Sequence, residues 1–395
     1  MTRPIRHGRA ARPHPRRVAA TRAVDVVAGD RTARASAYRE PELPRLSTTP
    51  PAPHPANARL SGVHPLLRAA ADRQLGLFTA LDARRVGYEH GEIRHLCAAG
   101  TWTRVRRGVY GLTDEVASAR AAGRQHAIDC TAVLLDLGRP EAAISHTSAL
   151  RLLGLPARRA LLPDTVRLTH PALWRRGKGF TVNQAPLPPA DVTLRGPLRL
   201  TTPARTLVDC AREWPLEDAV VAMDAALLRG TVAPTGLATA VVAARSWPGA
   251  PRAARAAGLA DGRAESPLET RGRLRLLGAG LPPTDLQVEI RVGGRLIGVV
   301  DAWFDDAAVA VEFDGRVKYT DPWGDRSPER VLWDEKRRED ALRSTDIRVV
   351  RIVDADLEGG WHETEERLRS LLAVPGPARR RFTATTRPRG LVRAG

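Results

Sequence analysis

The stretch LQVEIRVGGRLIGVVDAWFDDAAVAVEFDG, residues 286–315, decides the fold of the last third of this chain. Residues 286–292 alternate apolar and polar side chains, which predicts a strand. Gly293-Gly294 is a hairpin turn, residues 296–304 form the returning strand, Asp305-Asp306 turns the chain, and 308–315 is the third strand. Its β-branched positions make this a meander. Asp301 lies near the end of one strand. Glu312 and Asp314 lie two apart on the next, so both point to one face. With Val309 near Ala302 across the turn, Asp301 sits diagonally beside Glu312; a slip of one residue would flip that face. Glu312 is embedded among Val309, Ala310, Val311 and Phe313, where a carboxylate needs a partner. Three neighbouring carboxylates repel unless a divalent cation neutralises them. Oxygen-only ligands select Mg²⁺ or Mn²⁺ over zinc. Such a metal activates water against a phosphodiester.

Working outward, AESPLETRGRLRLLGAGLP (264–282) predicts a helix with Ser266 as N-cap, Pro267 in the first turn and Glu269 at capping-box spacing. Gly278, Gly280 and Pro282 end it. Downstream, Ser327-Pro328-Glu329 opens a helix continuing through Lys336, Glu339 and Leu342, and residues 347–353 form a closing strand. The predicted order is α-β-β-β-α-β, the core of restriction-type nucleases.

Residues 265–357 resemble the Vsr-like branch of the PD-(D/E)XK endonuclease superfamily. The resemblance is carried by S-P-L-E (266–269), V-V-D (299–301), V-E-F-D-G-R-V-K-Y (311–319) and E-K-R-R-E-D-x-L-R (335–343). It implies that Asp301 and Glu312 are metal ligands and that Glu269 is a helix-borne acid beside the metal, with Glu265 as the alternative. Asp314 stands where that superfamily commonly has Lys, so Lys318 or Lys336 would supply the cation that orients water. The implied catalytic set is Glu269, Asp301, Glu312, Asp314 and Lys336. Arg316, Lys318, Arg337 and Arg338 are placed to meet phosphate.

Residues 64–113 predict three short helices followed by a hairpin, WTRVRRGVY (102–110), turning at Gly108. Three helices and a β-hairpin make a winged helix, which puts its third helix in the major groove and its wing on phosphate. Arg94, His95, Arg104, Arg106 and Arg107 are its candidate DNA contacts. This unit resembles the N-terminal winged-helix domain of AbiEi-type antitoxins, on Leu77 to Leu112 and above all on W-x-R-V-R-R-G-V-Y.

Residues 125–245 predict a mixed α+β middle domain that also looks antitoxin-like. It has helices over 125–136, 144–156, 203–213, 216–229 and 235–245, and strands near 164–169 and 192–200. Ser145 and His146 suggest a nucleophile pair, but neighbours on a helix diverge by about 100°, so no hydrogen bond between them is expected. Residues 246–264 read as a linker, 265–375 as the endonuclease-like domain and 376–395 as a basic tail. Residues 1–60 carry twelve Arg against four acids and many prolines; they predict a disordered basic tail.

The 395-residue chain has a formal charge of +18 and a pI near 11.2, which points to a polyanionic partner. Abundant Arg, Ala, Gly and Pro also suit a GC-rich coding sequence. Cys97, Cys130 and Cys210 show no metal or disulfide spacing, which fits a reducing cytoplasm. No apolar run reaches the roughly 18 residues of a membrane span. The sequence therefore predicts an α/β multidomain protein: an N-terminal winged helix, an α+β middle region and a C-terminal endonuclease-like core. Two functions are open. One is Mg²⁺- or Mn²⁺-dependent DNA cleavage. The other is an antitoxin-like DNA-binding regulator with an inactive nuclease fold.

Overall fold

In the computed structural model, the described residues are 63–315, 337, 338 and 340–387. They form a mixed α/β structure with three sheets.

The first unit runs α1 (Pro65–Asp72), β1 (Leu77–Thr79), α2 (Ala80–Arg85), α3 (His90–Ala98), β2 (Trp102–Arg106) and β3 (Val109–Leu112). Helix α2 starts at a full capping box: Thr79 accepts from Asp82 N–H, and the Asp82 carboxylate accepts from Thr79 N–H. The strands pair antiparallel in the order β1-β3-β2. One face of this sheet packs Phe78 and Trp102 against Leu67, Ala83 and Ile93 of the three helices. The other face packs Leu77, Val105 and Val109 against Val116, Ala119, Ile128 and Ala132 of α4 (Thr113–Ala121) and α5 (Gln125–Leu137). The small sheet is thus covered on both sides, and apolar burial on both faces fixes it to the region that follows.

That region adds β4 (Ala143–Ile144), α6 (His146–Leu152), β5 (Val166–His170), β6 (Arg175–Gly177), β7 (Phe180–Gln184), β8 (Val192–Arg195) and β9 (Leu198–Thr201). Its six-stranded sheet has the order β6-β7-β5-β4-β9-β8. Helices α7 (Pro203–Ala211), α8 (Leu216–Leu228), α9 (Pro234–Ala243) and α10 (Ala250–Leu259) follow. Residues 250–259, read as linker from sequence, are helical, and Ala253 and Ala256 are buried in the core of α7 and α8. The buried residues of α10, Ala250, Ala253 and Ala256, are all alanine, so the face carries no large-residue periodicity.

The last sheet has the order β13-β12-β11-β10-β14, from β10 (Asp285–Val292), β11 (Arg295–Phe304), β12 (Val309–Phe313), β13 (Arg348–Ile352) and β14 (Thr383–Thr386). Helix α11 (Pro267–Gly278) precedes it. Gly293 and Gly294, at φ +55° and +82°, make the β10–β11 turn. Strand β12 pairs parallel with β13, the other neighbours antiparallel. Strand β14 lies within the segment read as a basic tail; instead it closes the sheet edge on β10. Ala302 faces Val311 rather than Val309. This two-residue offset keeps every side chain on its expected face, because strand periodicity is two. The helix expected around 327–342 begins outside the described residues; its end is helical at 340–343. All three cysteines are free. No helix among the described residues is long and apolar enough to cross a membrane.

Candidate functional site

Two charged surfaces matter, one exposed and one enclosed. On the first unit, Arg94 and His95 are exposed on α3, and Arg104 and Arg107 are exposed on the hairpin. None of these three arginines has an acidic partner among the described residues.

Arg106 behaves differently. The β2–β3 pairing shifts register between Arg104 and Arg106, and such a bulge re-aims the next side chain. Arg106 therefore turns away from the α3 side. Its Nε donates to Asp136 Oδ2 at 2.6 Å, its Nη1 to the Lys178 carbonyl at 3.0 Å, and its guanidinium lies 4.7 Å over Phe180. The structure uses Arg106 as a strut, which corrects its grouping with the free arginines.

The acids of the last sheet are enclosed. Continuing the β11–β12 register puts Asp301 opposite Glu312. Asp301 Oδ2 accepts from Phe313 N–H at 2.8 Å, and Oδ1 from Gln287 Nε2 at 3.2 Å. The same Gln287 nitrogen donates to Glu269 Oε2 at 2.9 Å, so one amide joins two buried carboxylates. Gln287 holds this place at φ +52° in mid-strand, a strained backbone for a non-glycine residue. Glu269 caps less simply than its spacing suggests: Ser266 Oγ accepts from Glu269 N–H, while the Glu269 carboxylate reaches past Ser266 to Glu265 N–H at 2.8 Å. Burial first, and the nearby Asp301 charge second, push the Glu269 carboxyl up to about 8.

Glu312 and Asp314 share a face, as expected, and both meet arginines. Arg338 lies 3.0 Å from Glu312, and Arg351, paired beside Glu312 on β13, lies 3.9 Å from both acids. Arg338, read as a phosphate contact, is thus engaged within the protein. Glu265 accepts from Arg387, just after β14. Arg316, Lys318 and Lys336 lie outside the described residues, and Arg337 is exposed.

The donor chemistry suits Mg²⁺, but the arrangement does not fit one as it stands. Both Asp301 oxygens accept protein N–H groups, and Glu312 is held by Arg338. Among the described residues no three His, Cys, Asp or Glu side chains come together as a set able to hold a metal ion.

Sequence reasoning missed Gln287, Arg351 and Arg387. Gln287 occupies a polar position of an alternating strand like Glu289 and Arg291, so no signal in the sequence marks it as buried; the arginines act through pairings distant in sequence. It also mistook Ser145 and His146. They do not share helical geometry: Ser145 is extended and His146, the first residue of α6, sits at φ +49°. Their side chains hydrogen-bond at 2.8 Å, with Thr169 Oγ1 donating to Ser145 Oγ. Burial first, then Arg167, Arg212 and Arg205, hold the imidazole well below its usual range. Ser145 and His146 are both buried; Ser145 makes no side-chain cap bond to α6, and the His146 Nε2 lies 3.5 Å from Glu213.

Residues 65–113 match the family described as transcriptional regulator, AbiEi antitoxin. The uncharacterised proteins Rv2248 and MT2308 of Mycobacterium tuberculosis strains H37Rv and CDC 1551 are each 35% identical to this chain over 114 residues. Those matches cover 29% of this chain and 42% of each relative, so the chain spans less than half of their length. The crystal structure of the Rv2827c protein from Mycobacterium tuberculosis aligns with 56% of this chain and 81% of its own at a TM-score of 0.33 and 16% identity.

Proposed function

We propose that this chain is a DNA-binding transcriptional regulator of the antitoxin type, and that residues 65–113 are its winged helix. The observation carrying this is the match of that unit to an AbiEi regulator family, on a helix and hairpin whose Arg94, Arg104 and Arg107 stand exposed. The element order and the β1-β3-β2 sheet support the winged-helix reading. In it, α3 enters the major groove with Arg94 and His95, and Arg107 at the hairpin turn meets phosphate. The last sheet serves as a scaffold whose acids are met by donors of the protein itself.

Fluorescence anisotropy with labelled duplexes selected from a random pool tests this reading. The wild type should enrich a sequence, and the Arg94→Ala/Arg104→Ala/Arg107→Ala variant should lose binding while keeping its melting temperature.

A second reading, DNA cleavage with Mg²⁺ or Mn²⁺ held by Glu269, Asp301 and Glu312, is favoured by one observation. Two carboxylates are buried against each other under a single amide, and such costly groupings cluster at functional sites. Supercoiled plasmid incubated with the protein and Mg²⁺ decides between the two. The regulator reading predicts no nicking; nicking abolished by Asp301→Ala would establish the nuclease.

A further inference from the structure

We propose that the duplex-binding surface continues past the winged helix onto a second hairpin, β6–β7, through Arg175, Arg176 and Lys178. The inference rests on the regulator reading and extends it beyond residues 65–113.

Three observations carry it. First, the two hairpins are tied side by side. Arg106, at the end of β2, donates to the backbone carbonyl of Lys178, and its guanidinium lies over Phe180, the first residue of β7. Arg175 lies 5.6 Å from the same ring. The Asp136 carboxylate neutralises Arg106 from behind, so the strut is anchored to α5.

Second, the charge on both hairpins is of one sign. Residues 101–113 contain no acid, and residues 165–190 contain none either. Arg107, Arg175, Arg176 and Lys178 are all exposed, and no acidic side chain pairs with them among the described residues. Cations held together without counter-charges repel, so a fold keeps such a strip at a cost unless an external polyanion meets it. Trp174, at the base of the strip, is 66% exposed; so large an apolar surface beside cations suits the sugar edge of a groove.

Third, the tip is built to a fixed shape. A Cβ on Gly177 would fall 2.0 Å from the Phe180 ring. Only glycine allows the turn to close over that ring, and this closure sets Lys178 against Arg106. The wing and the second hairpin therefore present their cations as one rigid strip, whose partner is a duplex phosphate backbone already held by α3. Contacts of this kind add affinity without sequence preference.

The test uses the full chain and two duplex probes, the selected sequence and an unrelated one, across a salt series. Arg175→Ala/Arg176→Ala/Lys178→Ala keeps the carbonyl that Arg106 needs and should melt like the wild type. Binding to both duplexes should weaken about 10- to 100-fold, and the slope of log affinity against log salt should fall by roughly 2–3, near 0.9 per lost phosphate contact. The selected sequence should remain preferred by the same ratio. Charge reversal, Arg175→Glu/Arg176→Glu, should deepen the loss. Wild-type affinity and slope in the hairpin variant, alongside failure of the Arg94/Arg104/Arg107 variant, would overturn the extended surface and leave the regulator reading standing. If neither variant weakens binding, the regulator reading falls with it.

Discussion

The first unit and the last sheet handle charge in opposite ways. On residues 65–113, Arg94, Arg104 and Arg107 stand in solvent with no acid opposite them among the described residues. On the last sheet, Glu269, Asp301 and Glu312 are buried, and each is met by a protein donor: Gln287 and Glu265 N–H, Phe313 N–H, or Arg338. Exposed cations cost the fold little and are available to a partner. Enclosed carboxylates are costly unless satisfied, and once satisfied by the protein they are less available to a ligand. The contrast teaches where to look for the partner. Under the regulator reading the partner lies on the basic side, and the acidic cluster joins α11 to the sheet through Gln287.

The sharpest way to break this contrast is to remove an enclosed acid. Asp301→Ala strands the Phe313 N–H and one bond of Gln287 in the sheet interior, so thermal or chemical denaturation should show a loss of about 2–4 kcal/mol. DNA affinity should stay unchanged at temperatures where the variant is folded. A variant as stable as the wild type would mean that Asp301 is held in reserve for a ligand.

Glu269 gives the next largest effect, and its sign is fixed. Its folded-state carboxyl is raised from 4.5 to about 8. Between those values the folded protein holds a proton that the unfolded chain has released. The group's contribution to stability therefore declines as pH rises through that window and levels off above about 8. Glu269→Gln, which stays neutral, should remove that decline, so its melting temperature should gain on the wild type as pH goes from 5 to 8. A constant difference across that range would contradict the buried, protonated carboxyl.

Arg106 tests the contrast from within the basic unit. Arg106→Ala should cost about 1 kcal/mol of stability by removing a half-buried pair with Asp136 and the Lys178 carbonyl bond. Its effect on DNA binding should be smaller than that of Arg107→Ala. Equal losses of affinity would return Arg106 to the contact surface.

The sequence made parts of this contrast legible and hid others, for physical reasons. Residues 286–315 announced their strands because apolar alternation and the Gly293-Gly294 turn are local signals. Ser266 and Pro267 marked the start of α11 in the same way. Exposed Arg94, Arg104 and Arg107 followed once α3 and the hairpin were placed. The mispairing of β11 with β12 by two residues did no harm, because the face was preserved. Helix α10 looked like a linker because its buried side is alanine. Strand β14, with the sequence TATT, has no alternation, and only its pairing with β10 makes it a strand. Arg106 could not be separated from its neighbours without the bulge that turns it. Nor could Gln287 be joined to Glu269, 18 positions away, before α11 was packed on the sheet.

The central claim is that residues 65–113 bind duplex DNA through exposed arginines. Its most direct test is the affinity of wild type and the Arg94→Ala/Arg104→Ala/Arg107→Ala variant for a selected duplex, measured by anisotropy across a salt series. A loss of about 100-fold, with a salt slope lower by roughly 1–2 and an unchanged melting temperature, is the predicted result. Equal affinity and equal slope for the two proteins would contradict it.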